Sequence, residues 1–327
     1  MIRAAAAFSL LLLASCEAEP TVGPVDPASM ERACDGEARA LCEKFDTCQE
    51  GGVRLSYGTM DVCIERSRIE CRARLTAPGV GDTPAADAAC GEAVRVGTCA
   101  DYLNQAIATC LPLAGRGAIG TSCAFHTQCA SAFCARAPRA ACGVCSAVPR
   151  AGDPCAMQEC AAGQSCNEKG ICQPLSQERG PCSTGADCLY GHQCASASTV
   201  PGATSRTCVP AVATESSSCD PVVGPQCDFN RGLSCERTAA GSRCTRFVAA
   251  EAGQPCGTLS GRPALCVAGA ICVTTGAGAA PTCRPVAADG AACDLAAGTG
   301  CLYPARCVGT GPGTAGTCTL PSAQACR

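Results

Sequence analysis

Large side chains are scarce in this chain of 327 residues, which contains no tryptophan and only 3 % aromatic residues. Alanine and cysteine supply much of the 47 % that counts as hydrophobic. Such a chain buries too little apolar surface to offset the conformational entropy lost on folding. Disorder usually combines low hydrophobicity with high net charge, whereas the formal net charge is only −3. The chain therefore needs another source of stability.

The residues of several chemistries are also lacking. Lysine occurs only at Lys44 and Lys169, and the arginines are scattered among acids, which excludes a basic stripe for nucleic acid. Neither His126 nor His192 has a second ligand at metal-binding spacing. We find no Gly-x-Ser-x-Gly elbow, Walker loop or dinucleotide fingerprint. We therefore predict no catalytic residue, no metal, no cofactor and no enzymatic activity.

Cysteine is the residue in excess, with 35 copies. This density is typical of disulfide scaffolds. Each disulfide contributes about 2–4 kcal/mol by restricting the unfolded chain. Because disulfides persist outside the cytosol, the composition predicts an exported protein.

Residues 1–15 predict a lipoprotein signal peptide. A positive start is followed by an apolar run over 4–13, which is too short to span a bilayer and has the length of a signal-peptide core. The run ends in LASC, which resembles the bacterial lipobox and implies a lipid on Cys16 that attaches the protein to a membrane. Without Cys16 the cysteine count is even, so no thiol has to stay unpaired. An ordinary signal peptide cleaved near Ala14 or Ala18 is the alternative.

A proline-rich stretch over 16–29 predicts an extended tether, and residues 30–112 predict a helical module with eight cysteines. The predicted helices are Met30–Cys48, Tyr57–Leu75, Pro84–Ala100 and Asp101–Leu111. We interpret the acidic residues Asp61, Glu65 and Glu70 of the second helix as a solvated face.

The cysteine spacing in this module predicts two of its disulfides. Cys34 precedes Cys42 by the same number of residues as Cys63 precedes Cys71, a rise of about 12 Å along a helix. On two antiparallel helices, this predicts the pairs Cys34–Cys71 and Cys42–Cys63. The other four cysteines would tie in the remaining helices.

Residues 113–327 form six units with four cysteines each, and the last four units recur at a constant interval. Glycines recur three residues before the first and the third cysteine of several units, which suggests turns with positive φ. We predict a short β-hairpin pinned by two disulfides in each unit, stacked on its neighbour. The first unit is predicted to end at Cys142, which leaves Cys145 and Cys326 over. If every unit closed on itself, these two would have to pair with each other or stay free. We instead expect that bonds cross unit boundaries and that the true frame of the units is shifted.

The order Gly-x-x-Cys, Cys, Gly-x-x-Cys, Cys resembles the Dickkopf N-terminal type of cysteine-rich repeat. With the lipobox, Tyr57-Gly58 before Cys63 and the sequence CGVC over 142–145, the layout also resembles a group of cysteine-rich lipoproteins of myxobacteria. The resemblance implies this architecture and carries no activity, Wnt-receptor antagonism included. Ser216–Ser218 and Pro304 stand where the fourth and sixth units should have glycine.

Cys142 and Cys145 form a CxxC motif, which thioredoxin-type redox sites also contain. Redox chemistry requires the first cysteine at a helix N-terminus beside a βαβ sheet. Here the neighbours are proline, alanine and further cysteines. We therefore interpret both residues as structural disulfide cysteines.

The sequence thus predicts a small disulfide-rich multi-module protein, with a disulfide-stapled helical module followed by a tandem array of disulfide-pinned β-hairpins. We expect an outer-membrane lipoprotein that faces the periplasm or the cell surface and has a structural, adhesion or binding role toward an extracellular protein or glycan. A disulfide-rich inhibitor or toxin-like module acting on an extracellular hydrolase, with the loop Ser196–Ser205 as bait, is the alternative. An enzyme would instead require a cleft of convergent polar groups within 30–112.

Overall fold

The computed structural model describes residues 26–137, 139–155, 160–196, 205–220, 223–239, 241–259, 262–274, 276, 279–309 and 314–326. Cys16, the predicted signal peptide and most of the predicted tether lie outside these residues. Helices form the first part of the described chain and short, mostly antiparallel sheets form the rest, which confirms the predicted fold class. None of the described helices is both long and apolar enough to cross a bilayer.

The helical module contains five α-helices and a closing 3-10 turn at Ala108–Cys110. The α-helices are α1 (Pro27–Cys48), α2 (Gly52–Tyr57), α3 (Met60–Leu75), α4 (Pro84–Val96) and α5 (Cys99–Leu103). At the start of α4, the hydroxyl of Thr83 accepts a hydrogen bond from the N–H of Ala86 at 3.2 Å. Pro84 takes the first helical position, as the Thr83-Pro84 pair predicts.

Some helix boundaries differ from the prediction for local reasons. α1 begins at Pro27, inside the predicted tether, because the carboxylate of Asp26 caps its first N–H groups. Gly58, with a φ of 84°, interrupts the predicted second helix and separates α2 from α3. The predicted fourth helix over 101–111 reduces to the short α5, which ends before Gln105 with its φ of 54°.

Four disulfides fasten the helical module. Cys34–Cys71 and Cys42–Cys63 join α1 to α3 with Cα–Cα distances of 5.5 and 6.0 Å, the same pairs as those predicted from spacing. Cys48–Cys99 links the end of α1 to the start of α5, and Cys90–Cys110 links α4 to the 3-10 turn. Buried sulfur thereby occupies positions that large apolar side chains fill in ordinary helical bundles.

The strands of the cysteine units are two to six residues long. They are β1 (Ser122–Cys123), β2 (Cys134–Ala135), β3 (Gly143–Cys145), β4 (Gln164–Cys166), β5 (Cys172–Pro174), β6 (His192–Ser196), β7 (Arg206–Pro210), β8 (Leu233–Thr238), β9 (Gly241–Arg246), β10 (Val248–Ala250), β11 (Gly257–Leu259), β12 (Arg262–Cys266), β13 (Ile271–Val273), β14 (Thr282–Arg284), β15 (Ala292–Asp294), β16 (Arg306–Val308) and β17 (Ala315–Thr319).

One disulfide pattern repeats through all six units, when Cys145 is counted as the fourth cysteine of the first unit. The first cysteine is disulfide-bonded to the third, and the second to the fourth. The third and fourth cysteines also face each other directly across an antiparallel hairpin in every unit. Each unit is therefore a hairpin pinned on both strands.

The residue three positions before the first cysteine has a left-handed backbone conformation, with positive φ, in each unit. Its N–H donates to the carbonyl of the fourth cysteine at 2.7–2.9 Å in all six units. Four units place glycine at this position, whereas the third and fourth units place Arg179 and Ser216 there, with φ of 65° and 67°. The predicted positive φ thus holds even where glycine is replaced.

The frame of the first unit differs from the prediction. Cys129 binds Cys145, so Cys145 and not Cys142 is the fourth cysteine of that unit. Cys142 instead binds Cys326 across a sequence separation of 184 residues. The frame is therefore shifted and one bond crosses unit boundaries, as predicted, and that bond joins the first unit to the sixth over the length of the array.

The array does not extend away from the helical module but wraps around it. Backbone hydrogen bonds join the helical module to the units at several places. The N–H groups of Gly81, Glu50 and Gly269 donate to the carbonyls of Thr127, Asn230 and Leu55, each at 2.7 Å. The first and sixth units meet at the Cys142–Cys326 disulfide. The predicted one-dimensional stacking is therefore incomplete, because the units form a closed ring around a helical hub.

Candidate functional site

A cavity of about 670 Å³ lies where the helical hub faces the first and sixth units. Its wall is unusual for this chain, since it contains three of the four tyrosines. The aromatic lining residues are Phe45, Tyr57, Tyr102, Phe125 and Tyr303, and the charged or titratable ones are Glu37, Glu70, Arg74, Asp82, His126, Arg136 and Arg306. The hub and the ring both contribute, so the cavity depends on the closed arrangement.

One wall of the cavity is built around Arg74 at the end of α3. Its guanidinium donates to the carboxylates of Glu37 on α1 at 2.9 Å and Asp87 on α4 at 2.9 Å, and also to that of Asp82 in the loop between α3 and α4. All three acids are buried. The cluster therefore ties three segments of the hub together through one cation.

The electrostatics of this cluster follow from burial and mutual charge. Desolvation raises the pKa of Glu37 to about 7, because it outweighs the attraction of Arg74. Desolvation also raises the pKa of Asp87, against the favourable charge and hydrogen bonds of Arg74. Burial acts to lower the pKa of Arg74, but the three carboxylates outweigh it and raise that pKa. Arg74 therefore stays charged, while Glu37 titrates near neutrality.

A second acid, Glu70, faces the cavity from the middle of the same helix. The hydroxyl of Tyr303 in the sixth unit donates a hydrogen bond to its carboxylate. Desolvation and the nearby Glu70 raise the pKa of Tyr303, so the hydroxyl keeps its proton. Because 45 % of Tyr303 is exposed, the hydrogen bond to Glu70 is the stronger ground for this direction. Glu70 is half-buried, so the predicted solvated face does not extend to it, whereas Asp61 and Glu65 are exposed.

The part of the wall that the first and sixth units contribute contains His126 and the basic residues Arg136 and Arg306. The Nδ1 atom of the His126 ring accepts a hydrogen bond from the N–H of Cys134 at 3.0 Å, and the ring stacks on Phe133 with centroids 5.2 Å apart. Burial, followed by the charges of Arg136 and Arg306, lowers the pKa of His126 to about 4. His126 is therefore neutral at pH 7 and carries its hydrogen on Nε2.

A larger cavity of about 800 Å³ lies among the second, third and fourth units near the end of α5. Its wall is mostly uncharged, and the carboxylate of Asp187 is occupied by the N–H groups of Ser183 at 2.7 Å and Thr184 at 2.9 Å. This acid is buried and supports a turn of the third unit.

The residues singled out from the sequence have different places in the fold. Cys34, Cys42, Cys63 and Cys71 fasten α1 to α3, beside the cavity. The two cysteines of the CxxC motif are not bonded to each other. Every cysteine of the described residues is in a disulfide, so none of them offers a thiol.

The charged cavity was missed by the sequence interpretation. Glu37, Arg74 and Arg306 are isolated charges among many, and no motif marks them. The one signal in the sequence was the scarcity of tyrosine, which makes each tyrosine a candidate for a specific role. The structure brings Tyr57 and Tyr303, which are far apart in sequence, to the wall of one cavity. In comparisons with protein-family models, curated proteins and solved structures, the chain shows no significant match.

Proposed function

We propose that this chain is a lipid-anchored cell-envelope protein with a binding role, and that the cavity between hub and ring is its binding site. The disulfide content is that of an extracellular or envelope-exposed protein. The lipobox-like sequence that ends at Cys16 supports the anchor, and so does its resemblance to cysteine-rich envelope lipoproteins. The partner would be a small molecule or an end group of an extracellular protein or glycan.

The observation that carries the proposal is the cavity itself. Pockets of about 300–1,000 Å³ with a partly aromatic lining and a few convergent polar groups are typical of small-molecule sites, and this cavity of about 670 Å³ falls in that range. Tyrosine supplies both contact area and a hydroxyl at low entropic cost. The disulfides on both sides keep the walls in place, which reduces the ordering cost of binding.

We favour binding over catalysis at this site. A nucleophile needs an adjacent base, and the described cysteines are all oxidised. Glu37 has a pKa suited to proton transfer, but its carboxylate is held by Arg74 at 2.9 Å. The inhibitor alternative depends on a bait loop whose residues 197–204 lie outside the described residues, so no observation favours it.

The anchor is tested by the intact mass of the protein from bacterial envelopes, alkylated with and without prior reduction. We expect loss of residues 1–15, added acyl mass on Cys16 and labelling of the 34 other cysteines only after reduction. The variant Cys16→Ala should no longer be found in the envelope fraction, and its disulfides should be the same as those of the wild type. Retention of this variant in the membrane would contradict the anchor.

The binding site is tested by native mass spectrometry against a small-molecule library. Ser67 lies on the cavity wall, and Ser67→Tyr should place a bulky ring there that narrows the cavity and weakens the binding of any hit. Thr214→Tyr places the same side chain on an exposed loop and should bind like the wild type. Hits that bind Ser67→Tyr as tightly as the wild type, or an absence of hits, would refute the cavity as a binding site.

A further inference from the structure

The charges on the cavity wall divide into those that are neutralised and those that are not. Arg74 is matched by Glu37, Asp82 and Asp87, as described above. Within the described residues, the guanidinium of Arg306 has no hydrogen bond and no ion pair. Glu70 accepts one hydrogen bond from Tyr303 and has no ion pair in the same part of the chain.

Arg306 and Glu70 line the same cavity as Tyr303. Both charges act on the hydroxyl of Tyr303, Glu70 raising its pKa and Arg306 lowering it. Arg306 and Glu70 do not form an ion pair with each other, so the cavity wall presents a cation and an anion that no ion pair within the described residues neutralises. Arg136 on the same wall is already engaged, since its guanidinium donates to the carbonyl of Ala124 at 2.9 Å. The side chains of Arg306 and Glu70 are both half-buried, where opposite charges attract more strongly than in bulk water.

We propose that the cavity binds a small zwitterion that carries an ammonium group and a carboxylate, such as a free amino acid or a peptide with both ends close together. The carboxylate pairs with Arg306, whose guanidinium can form two parallel hydrogen bonds to it. The ammonium group pairs with Glu70. The rest of the ligand packs against the rings of Phe45, Tyr57 and Tyr102.

Charge complementarity favours a zwitterion over simpler ions. A carboxylate alone would satisfy Arg306 but would leave Glu70 uncompensated and close to the negative charge of the ligand. An amine alone would satisfy Glu70 and would be repelled by Arg306. Only a molecule with both groups neutralises both residues, which is how charge pairs confer specificity on a site.

The inference rests on the proposed binding function, and the chain contains a built-in reporter that separates the two. It has only two histidines. His126 lines the charged cavity, and its pKa is lowered to about 4 partly by Arg306. His192 lines the larger cavity instead. A carboxylate paired with Arg306 should therefore raise the pKa of His126, while the NMR signals of His192 should not respond to the ligand.

The experiment is a histidine NMR titration of the full oxidised protein with alanine, phenylalanine, acetate and methylamine. We expect the two amino acids to bind at least about tenfold more tightly than acetate or methylamine, since two charge pairs replace one. The pKa of His126 should rise on binding. Acetate binding as tightly as alanine, or amino acids that leave His126 unmoved, would overturn the inference.

Substitutions test whether Arg306 and Glu70 are the two charged residues that bind the ligand. Arg306→Gln and Glu70→Gln should each reduce amino-acid affinity by about tenfold or more, while Arg237→Gln removes an exposed arginine of β8 and should have no effect. The unchanged disulfide count of each variant verifies its fold. If library hits bind the wild type but not Ser67→Tyr, and no zwitterion binds, this inference fails and the binding function stands. If nothing binds the cavity, both fail.

Discussion

The guanidinium of Arg66 on α3 donates hydrogen bonds to both carboxylate oxygens of Asp289 in the sixth unit, at 2.5 and 3.0 Å. The same group donates to the carbonyls of Leu302 and Tyr303 at 2.6 and 2.8 Å. One buried side chain thus fixes the sixth unit to the hub. Lysine cannot reproduce this planar fork, so Arg66→Lys should lower the free energy of unfolding by about 1–3 kcal/mol.

Urea unfolding of the oxidised protein measures this loss. The matched control is Arg68→Lys, because Arg68 contacts acids only within the helical module, at 3.4–3.7 Å. This half-exposed network should be worth at most about 1 kcal/mol. Equal losses for the two variants would show that Arg66 does not hold hub and ring together.

The Arg74 cluster predicts a larger effect. Arg74→Met leaves the buried carboxylates of Glu37, Asp82 and Asp87 without their cation, which should destabilise the fold by about 3–5 kcal/mol. Arg95→Met removes an arginine paired with Glu92 on the surface of α4, where both side chains are more than half exposed. The control should change stability by less than about 0.5 kcal/mol in the same unfolding measurement.

Glu37 predicts a dependence of stability on pH. Its pKa rises on folding from 4.5 to about 7, so between these values the folded state binds more protons than the unfolded state. Its contribution to stability is fully present below about pH 4.5 and is lost as the pH rises through about 7. Glu37→Gln should therefore flatten the decline by roughly 1–3 kcal/mol between about pH 5 and pH 8.

Unfolding free energies of wild type and variant over this pH range test the assignment. Glu43→Gln, on the exposed face of the same helix, is the control and should keep the wild-type pH dependence. A Glu37→Gln profile parallel to that of the wild type would show that the carboxyl does not titrate between those limits.

Much of the scaffold could be predicted from cysteine and glycine spacing. The equal intervals Cys34–Cys42 and Cys63–Cys71 carry geometric information, because a regular helix converts sequence separation into distance. The sequence does not show which cysteine ends the first unit. The interval between the third and fourth cysteines of a unit varies from Cys166–Cys172 to Cys194–Cys208. Endings at Cys142 and at Cys145 both fall inside that range.

The closed ring and the cavity could not be predicted for a different reason. They depend on contacts between residues far apart in sequence, such as Arg66 with Asp289 and Glu70 with Tyr303. No local periodicity records such contacts. The repeat pattern even favoured the opposite conclusion, because repeats with short connections usually stack on one another.

The Cys142–Cys326 disulfide predicts a local opening of the ring. The double variant Cys142→Ser and Cys326→Ser should lower stability by about 2–4 kcal/mol and leave the other sixteen disulfides intact. Hydrogen exchange should increase where residues 323–326 pack against the first unit, around Ala124 and Phe125. Unchanged protection there would show that noncovalent contacts suffice to close the ring.

The left-handed turns predict two stabilising substitutions. Ser216→Gly and Arg179→Gly should each raise the free energy of unfolding by about 0.5–1 kcal/mol, because glycine adopts positive φ without steric cost. The reverse change, Gly253→Ala, should destabilise even though an added Cβ would meet open space. Thermal unfolding compares the three, and stabilisation by Gly253→Ala would contradict the backbone explanation.

The bond between Cys142 and Cys326 also sets an order of events during biogenesis. An exported chain emerges from its N-terminus, so Cys142 reaches the oxidising compartment well before Cys326 does. During this interval Cys129 can react either with Cys145, its native partner, or with Cys142, which lies three residues earlier in the sequence. The first unit must therefore choose the correct one of two closely spaced thiols without help from the final partner.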